Sequence, residues 1–379
     1  MKILRIANIP DNRTGGMSRT MYCTGDYLIA MGHHVDYLFS QDIQIKAPNL
    51  LQKWLAPFQI PGRVNYLAKQ GQSYDVIELH EAIAAPYCFA RQINKDLPPA
   101  VIFSYGLEKR HQLAELAYNT QKELPISLPL RYVRLTVVQS MYALQHCNHV
   151  ICSNSEDIDY LKQIRISENR LTQHHSGVDP EFLLAGETTV QTNISRSGVL
   201  FLGSWIFRKG ILDLAVAMTE VMQKHTSLQF TVAGCGRSAA TVLAEFSEHL
   251  HPRIRIISKL EGNQELIEIY RQHSIFVLPS YFEGQPLVMM EAAAMGLAIV
   301  TTNVCGMVDF IEDGINGLTV PVGDVEALTY SLNHLVSSEA LIQQFGAAAR
   351  RKVQTYTWEG AAKKIENAYQ KAILDDQST

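Results

Sequence analysis

The feature that most constrains this chain is a regular alternation of short apolar, β-branched segments with longer segments of helical periodicity. Five strands are predicted in the first half (ILRIA, HVDYLF, DVIEL, AVIFS, HVICS) and five in the second (GVLFLG, LQFTVAG, RIRIIS, IFVLPS, AIVTT). Strands that alternate with helices are typical of layered, parallel α/β structure. Because 379 residues are too many for one ordinary core, we expect two similar α/β domains that face each other.

The predicted domain boundary is a polar segment rich in Gly, Ser and Thr, residues 181–198, which is typical of an interdomain linker. The first domain is then expected over residues 1–185 and the second over residues 198–355. Residues 356–379 predict a final helix with apolar side chains at helical spacing: Trp358, Ala361, Ile365 and Ala368. This helix could pack on its own domain or cross back to brace the first, and the second arrangement is our expectation.

Composition excludes several classes of protein. The formal net charge is −4, whereas a general nucleic-acid binder is normally basic. The six cysteines form no CxxC pair and are too sparse for a secreted disulfide framework, so reduced thiols in a cytoplasm are expected. MKILRIANIP is too short an apolar run for a signal peptide, and LVMMEAAAMGLAIV is too short to span a bilayer. We therefore expect a cytoplasmic protein without a membrane-crossing segment.

The segment YFEGQPLVMMEAAAMG contains two glutamates, Glu283 and Glu291, on either side of a predicted helix start. The free N–H groups of that first turn, at Leu287 and Val288, favour an anion such as phosphate. Glu291 falls on a helix of otherwise apolar or small residues, and a buried carboxylate needs donors such as sugar hydroxyls. The alternative is that one glutamate caps the helix and the other lies on the surface.

Two loops that follow predicted strands could also hold phosphate. GSWIFRKG places Arg208 and Lys209 at a helix start, where cations oppose the helix dipole and an anionic ligand would relieve the conflict. A solvated basic turn is the alternative. In NIPDNRTGGMSRT, Gly15 and Gly16 precede a helix and predict a backbone cradle, although a plain loop is equally consistent with the pattern.

Polar residues follow three strands of the first half, where the ligand-facing residues of an open sheet belong. His80 and Glu81 end DVIEL, and FSYGLEKRH, which contains Tyr105 and His111, follows the next strand. Each of these could be functional or structural. The pair His174-His175 follows a further strand, where we favour a structural, hinge-like role.

Two other patterns carry weaker predictions. VAGCGRSAA gives GxGxxA at Gly234, Gly236 and Ala239, but the following strand ends in Ser258 and Lys259 and lacks the acidic residue of a dinucleotide site. The DxD-like pair Asp157 and Asp159 suggests a metal, yet SNSEDIDYL is better explained by Ser155 capping a helix with acids in its first turn. We expect neither a nicotinamide cofactor nor a metal.

Several motifs in the right order carry a resemblance to a known family: the GG loop, SGVDPEF, RKG, EGQPLVMMEAAAMG, GMVDFIEDGINGLTVPVGD and YTW. Together they resemble the retaining glycosyltransferases of family 4, which have the GT-B fold. The resemblance runs through nearly the whole chain and is strongest over residues 198–324. It implies a nucleotide-sugar substrate, with a UDP-sugar preferred, and a saccharide or lipid-linked acceptor. It implies no metal or other cofactor.

The resemblance also implies roles for individual residues. Glu283 would bind donor-sugar hydroxyls and Glu291 the ribose. Arg208 and Lys209 would hold the diphosphate. Backbone N–H groups of Gly16, Leu287 and Val288 would help to bind the diphosphate. The base would rest against the backbone at Lys259 and Leu260.

The sequence departs from the family pattern in four places. Ser204 follows Gly203 where many members have a phosphate-binding arginine, and Gln285-Pro286 replaces the common Phe-Gly. Cys305 precedes Gly306 where a glycine is usual. Tyr105 stands where relatives often have a catalytic histidine, so this role could fall to Tyr105, His80 or His111, or be absent.

The expected function is a cytoplasmic, metal-independent glycosyltransferase that transfers a hexose, with glucose as the guess, in polysaccharide or glycoconjugate synthesis. Two alternatives remain open, a nucleotide-sugar epimerase of the same fold and a non-catalytic sugar-nucleotide binding protein. Residues 47–70 and 128–146 place basic beside aromatic and aliphatic side chains, as interfacial helices do, and predict peripheral membrane contact through Trp54, Arg131 and Arg134. Helices packed on a core with a basic rim are the alternative.

Overall fold

The structure is a computed structural model that describes residues 1–13, 15–43, 55–121, 136–191 and 196–378. The chain divides into two compact units. The first unit comprises Met1–Gly177 together with Trp358–Thr379, and the second comprises Val178–Thr357. The second unit therefore begins ahead of the predicted start at residue 198. Trp54, Arg131 and Arg134 lie outside the described residues.

The first unit contains a six-stranded parallel sheet in the order β2-β1-β3-β4-β5-β6. Its strands are β1 (Lys2–Ile6), β2 (His34–Leu38), β3 (Val76–His80), β4 (Ala100–Ser104), β5 (His149–Cys152) and β6 (Leu171–Gln173). The five strands named from this half of the sequence are confirmed. The short strand expected ahead of His174 is β6.

The second unit repeats this architecture in the order β12-β11-β10-β7-β8-β9, again all parallel. Its strands are β7 (Val199–Leu202), β8 (Phe230–Ala233), β9 (Ile254–Ile257), β10 (Ile275–Leu278), β11 (Ala298–Thr302) and β12 (Leu318–Val320). The five predicted strands are confirmed, and β12 was missed because three residues are too few to show periodicity.

Helices connect the strands in both units, as right-handed crossovers in parallel sheets require. Those of the first unit are α1 (Gly16–Ala30), α2 (Ile60–Lys69), α3 (Ala85–Ile93), α4 (Glu108–Gln121), α5 (Val138–His146), α6 (Ser155–Gln163) and the last helix of the chain, α15 (Trp358–Gln377). Those of the second unit are α7 (Pro180–Gln191), α8 (Ile211–Lys224), α9 (Ala239–Leu243), α10 (Asn263–Gln272), α11 (Leu287–Ala294), α12 (Gly306–Phe310), α13 (Val325–Val336) and α14 (Glu339–Val353). The fold is α/β, with two Rossmann-like domains.

The last helix crosses back to the first unit, as expected. Alternate residues of a strand point to opposite faces, so the first sheet has two separate cores. Ile3, Val76 and Val101 share one core with residues of α15, namely Ala362, Ile365, Ala368, Tyr369 and Ala372. The apolar positions predicted for this helix are all buried. The helix therefore supplies much of the cover for one face of that sheet.

A buried polar cluster fixes α15 in place. The Arg5 guanidinium donates from Nε to Glu78 at 2.8 Å, and the Tyr369 hydroxyl donates to the same carboxylate at 2.6 Å. Arg5 also donates to the Met21 carbonyl at 2.6 Å and to Thr24 at 2.8 Å. An ion pair away from water is tolerated only when its remaining polar atoms are satisfied, and this one is.

The predicted linker is wrong over most of its length. Residues Pro180–Gln191 form helix α7, whose Phe182 is fully buried in the second-unit core. The glycine that suggested a flexible linker, Gly186, has a packing role: a Cβ there would lie 2.0 Å from the Ala294 carbonyl oxygen. Close approach of α7 to α11 therefore accounts for this glycine. Residues 192–195 of the segment lie outside the described residues.

Candidate functional site in the second unit

The candidate site lies at the carboxyl edge of the second sheet, where the loops after β7 and β10 meet. Gly203 directly follows β7, and the chain then passes through a single 3₁₀ turn, Phe207–Lys209, before α8 begins. At Gly210, φ is +69° and a Cβ would lie 2.0 Å from the Pro279 carbonyl oxygen, so only glycine fits. The Tyr281 amide then donates to the Arg208 carbonyl at 2.9 Å. These contacts hold the two loops together.

Glu283 is the centre of this arrangement. Its carboxylate forms ion pairs with the Lys209 ammonium and with Arg208 Nη1, the latter at 3.2 Å. The Ser280 hydroxyl donates to Glu283 at 3.0 Å, and Arg208 also donates to the Phe282 carbonyl at 2.7 Å. Burial alone would raise the pKa of Glu283, but the charges of Lys209 and Arg208 lower it to about 2. Glu283 is therefore ionised at neutral pH.

The alternative of a solvated basic turn is wrong for Lys209, whose side chain is largely buried. Only 12% of its side chain is exposed, against 33% for Arg208. The carboxylate of Glu283 is the negative charge that pairs with these two cations, and the sequence pattern did not identify it. Removal of Lys209 would leave a buried carboxylate with one cation fewer, which costs stability as well as any function.

Helix α11 begins beside this cluster. Its first residue is Leu287, its N-cap is Pro286, and Leu287 and Val288 are half-buried. Glu291, one turn in, is buried and accepts a 2.9 Å hydrogen bond from the Tyr270 hydroxyl, which also donates to the Val288 carbonyl at 3.0 Å. The hydrogen bond between Tyr270 and Glu291 was not predicted, because the helical pattern around Tyr270 does not indicate which residue its hydroxyl contacts.

The backbone conformation at Cys305 explains why the resemblance implies a glycine at this position. Cys305 has φ +54° and ψ −143°, a region that glycine occupies without strain and other residues rarely adopt. The next residue, Gly306, donates its amide to the Gly284 carbonyl at 2.9 Å, and a Cβ there would lie 2.1 Å from that oxygen. This chain therefore keeps the close contact but places a cysteine at the strained position.

The predicted base-contacting residues follow β9 at the same edge. Lys259 is exposed and pairs with Glu261 at 3.5 Å, whereas Leu260 is half-buried. A Cβ on Gly234 would lie 3.6 Å from Leu260 Cδ1, and one on Gly203 would lie 3.9 Å from Lys209 Nζ. The residues proposed for the donor in this unit thus share one edge of the sheet.

The first unit holds the other three predicted site residues close together. The Tyr105 hydroxyl donates to the Met17 carbonyl at 3.4 Å, in the turn directly after Gly16, and the ring of Tyr105 meets that of His80 edge-on at 5.2 Å. A Cβ on Gly16 would meet no atom within 4 Å, so the backbone there is open to a ligand. Burial lowers the pKa of His80 to about 4 and raises that of the Tyr105 hydroxyl. Both side chains are therefore neutral at physiological pH.

Glu81 is a buried acid whose environment was not foreseen. It accepts hydrogen bonds from the Ser104 hydroxyl at 2.7 Å and from the Glu108 amide at 3.2 Å, at the start of α4. Burial raises its pKa to about 8. These contacts place it as a support for the helix start rather than as an exposed reactant.

The DxD-like pair is accounted for by local structure. Asp157 is fully buried and accepts from Arg110 Nη1 at 2.7 Å and from the Leu107 amide at 3.2 Å. The predicted cap, Ser155, is wrong by one residue, because the Asn154 side chain accepts the Asp157 amide at 2.8 Å. Among the described residues, no three His, Cys, Asp or Glu side chains are grouped as metal ligands. In the same part of the chain, no helix combines the length and apolarity needed to cross a membrane.

Comparison with known proteins finds sequence similarity over part of the chain. A relative, an uncharacterized glycosyltransferase of Methanocaldococcus jannaschii, is 23% identical over 240 residues, which are 60% of this chain and 61% of the relative. The aligned part is thus less than two thirds of that protein.

Two solved structures share the fold over nearly the whole chain. Sucrose-phosphate synthase from Thermosynechococcus elongatus has a TM-score of 0.73 at 18% identity, with 99% of each chain covered. HepE of Anabaena, solved in complex with UDP, has a TM-score of 0.65 at 14% identity, with 98% of this chain and 100% of the other covered. Residues 196–338, which contain Arg208, Lys209, Glu283 and Glu291, match the family model of the group 1 glycosyl transferases.

Proposed function

We propose that the protein is a retaining glycosyltransferase that uses a nucleotide-activated sugar, with UDP as the nucleotide and glucose as the first sugar to test. One observation carries the proposal: Lys209 and Arg208 converge on the buried Glu283 beside the start of α11. Two cations and the free N–H groups of a helix start suit a diphosphate, and an ionised carboxylate suits sugar hydroxyls. The match of residues 196–338 to the group 1 glycosyl transferases supports this assignment.

In the proposed reaction, the bond from the anomeric carbon to the diphosphate oxygen breaks, and charge develops on the leaving group. Arg208, Lys209 and the amides of Leu287 and Val288 stabilise that charge more strongly in the transition state than in the ground state. The acceptor hydroxyl forms the new bond on the same face of the sugar. Its proton passes to an oxygen of the departing diphosphate, so no protein base is needed.

The Glu283 contacts also suggest how the donor engages the site. Lys209 and Arg208 already neutralise Glu283, so a bound diphosphate would share their N–H groups with this carboxylate. Sugar hydroxyls would then donate to the Glu283 oxygens. Glu291, which Tyr270 orients, would accept from the ribose. Cations that meet the diphosphate directly make a metal unnecessary in this scheme, and activity should survive EDTA.

A panel of labelled nucleotide sugars, incubated with and without saccharide and lipid-linked acceptors, tests the reaction type. Transfer to an acceptor supports the proposal. Conversion of the donor sugar without any acceptor would instead identify an epimerase of this fold, and binding of UDP without turnover a sugar-nucleotide binding protein. A thermal-shift comparison of UDP, GDP and ADP identifies the base, because a ligand of the folded state raises the melting temperature.

Peripheral membrane contact is part of this proposal. Around α2, Phe58 and Tyr66 are more than half exposed, at 57% and 52%, and the Arg63 guanidinium lies 5.4 Å from the Tyr66 ring centroid. Aromatic rings beside basic groups favour an anionic membrane surface, which would present a lipid-linked acceptor. Cosedimentation with anionic vesicles at low and physiological salt tests it. If the protein stays in the supernatant at both salts, membrane contact is refuted.

A further inference from the structure

A large groove lies at the amino edge of the second sheet, the edge opposite Glu283. It has a volume of about 1180 Å³ and includes residues that directly precede strands, such as Gly198 before β7, Gln229 before β8 and Ser274 before β10. Because β7 and β10 run parallel, this edge is separated from the candidate donor site by the length of the strands. The groove is therefore a separate feature of the second unit.

The charged side chains of the groove are mainly cationic. Arg196, Lys224, Arg350 and Arg351 line it, and Glu339 is the acidic residue among its described lining residues. The adjacent residues 192–195, TNIS, carry no acidic side chain in the sequence. A concave surface with an excess of one charge concentrates small ions of the opposite charge.

Arg196 and Arg350 approach each other over the turn that contains Gly296. A Cβ on Gly296 would lie 3.9 Å from both Arg196 Nη1 and Arg350 Cδ. Helix α14, which carries Arg350, is held against this turn, since a Cβ on Gly346 would lie 2.2 Å from the Gly296 carbonyl oxygen. The two arginines are thus fixed near one another by backbone packing.

Helix capping explains only some of the polar groups of these two arginines. Cations favour helix C-termini, and Arg196 Nη1 donates to the Met295 carbonyl at 2.7 Å, at the end of α11. Arg196 Nη2 and Arg350 Nε are buried and have no hydrogen-bond partner among the residues that the structure describes. Such donors carry a desolvation cost that a hydrogen-bond acceptor would remove. The neighbouring Arg271 is already paired, with Glu268 at 3.0 Å.

Electrostatics add to the geometric argument. Burial, followed by the charges of Arg271 and Arg350, lowers the pKa of Arg196 to about 10. Like charges held together out of water are unfavourable unless a counter-charge joins them. An oxyanion supplies both the charge and the several acceptor lone pairs that two guanidinium groups need.

We infer that this groove binds a phosphate-class oxyanion between Arg196 and Arg350, at a second anion site distinct from Arg208 and Lys209. The chemistry fits free phosphate and the phosphate group of a small phosphomonoester. The inference does not depend on the proposed transferase activity.

Calorimetry of the full chain with inorganic phosphate, and separately with glycerol phosphate, tests the inference against sodium chloride of equal ionic strength. We expect saturable phosphate binding, weakened about tenfold or more in Arg196→Gln and in Arg350→Gln. Tighter binding of glycerol phosphate than of phosphate would identify the monoester as the preferred source, and the reverse order free phosphate.

Two matched variants control the test. Arg255→Gln removes an exposed arginine of the same unit and should bind phosphate as the wild type does. Lys209→Gln, once circular dichroism shows that it is folded, should keep the phosphate binding that the groove variants lose. Loss of all saturable binding in the folded variant would assign phosphate to the donor site and overturn the inference. Absence of saturable binding in the wild type, or unchanged affinity in both groove variants, would overturn it too. If a glutamine variant does not fold, Arg196→Lys and Arg350→Lys keep the charge, and the loss of a guanidinium fork should still weaken binding.

Discussion

 The Tyr369 hydroxyl of α15 donates a 2.6 Å hydrogen bond to the buried Glu78 carboxylate of β3. This contact joins α15 to β3, a central strand of the first sheet, through a carboxylate that Arg5 also binds.

Tyr369→Phe should lower the free energy of unfolding by about 1–3 kcal/mol, because it removes a donor from a buried carboxylate without opening a large cavity. Urea unfolding measures the change. Tyr330→Phe is the control, since Tyr330 is 71% exposed, and it should leave stability unchanged. Equal effects of the two substitutions would mean that the hydroxyl of Tyr369 does not stabilise the docked helix.

Lys209→Met should reduce both turnover and stability. The loss of one contact to the leaving group should lower the rate by about 10²-fold or more. The loss of a cation from the buried Glu283 should cost about 3–5 kcal/mol. Adding Glu283→Gln should restore much of the stability but not the rate. A double-mutant cycle by chemical unfolding checks this, and additive losses of stability would contradict a direct interaction.

Glu283→Gln and Glu291→Gln should impair different properties of the enzyme, the rate in the first and UDP affinity in the second. A ribose contact acts in the ground and transition states alike, so Glu291→Gln should mainly weaken UDP binding. Glu283→Gln should lower the rate and blur sugar selectivity while UDP still binds. Calorimetry with UDP separates the two, and equal losses of UDP affinity would refute this division of roles.

Cys305→Gly should be more stable than Cys305→Ala by about 1–3 kcal/mol. Both substitutions remove the thiol, but only glycine relieves the backbone conformation at φ +54°. Thermal unfolding of the two variants makes the comparison. If the alanine variant is as stable as the glycine variant, the backbone at this position carries no strain.

His174→Leu should make the protein less sensitive to acid. Burial lowers the pKa of His174 to about 3, so the folded state keeps this ring neutral while the unfolded state protonates it below about pH 6.5. Stability therefore falls as the pH falls through that window, by at most about 1.4 kcal/mol per pH unit for this group. Unfolding at about pH 7 and about pH 5 measures the slope. His34→Gln, at an exposed histidine, should keep the wild-type slope.

The strands and the residues of the second-unit site could be predicted because both leave local patterns. Apolar β-branched runs identify strands, and RKG and EGQP lie in the loops that follow two of them. The ion pair between Lys209 and Glu283 could not be predicted, since 74 residues of chain separate the two and no local pattern records the contact. Composition misled at residues 181–191, where Gly186 serves helix packing and Glu181, Glu187 and Thr188 are exposed polar residues of a helix.

The return of α15 to the first unit has a consequence for the order of folding. The second unit is one continuous stretch of chain, whereas the first needs residues 358–379 to complete it. During synthesis, the second unit can therefore finish folding while one face of the first sheet is still not covered by α15. The part of the protein made first is the part completed last.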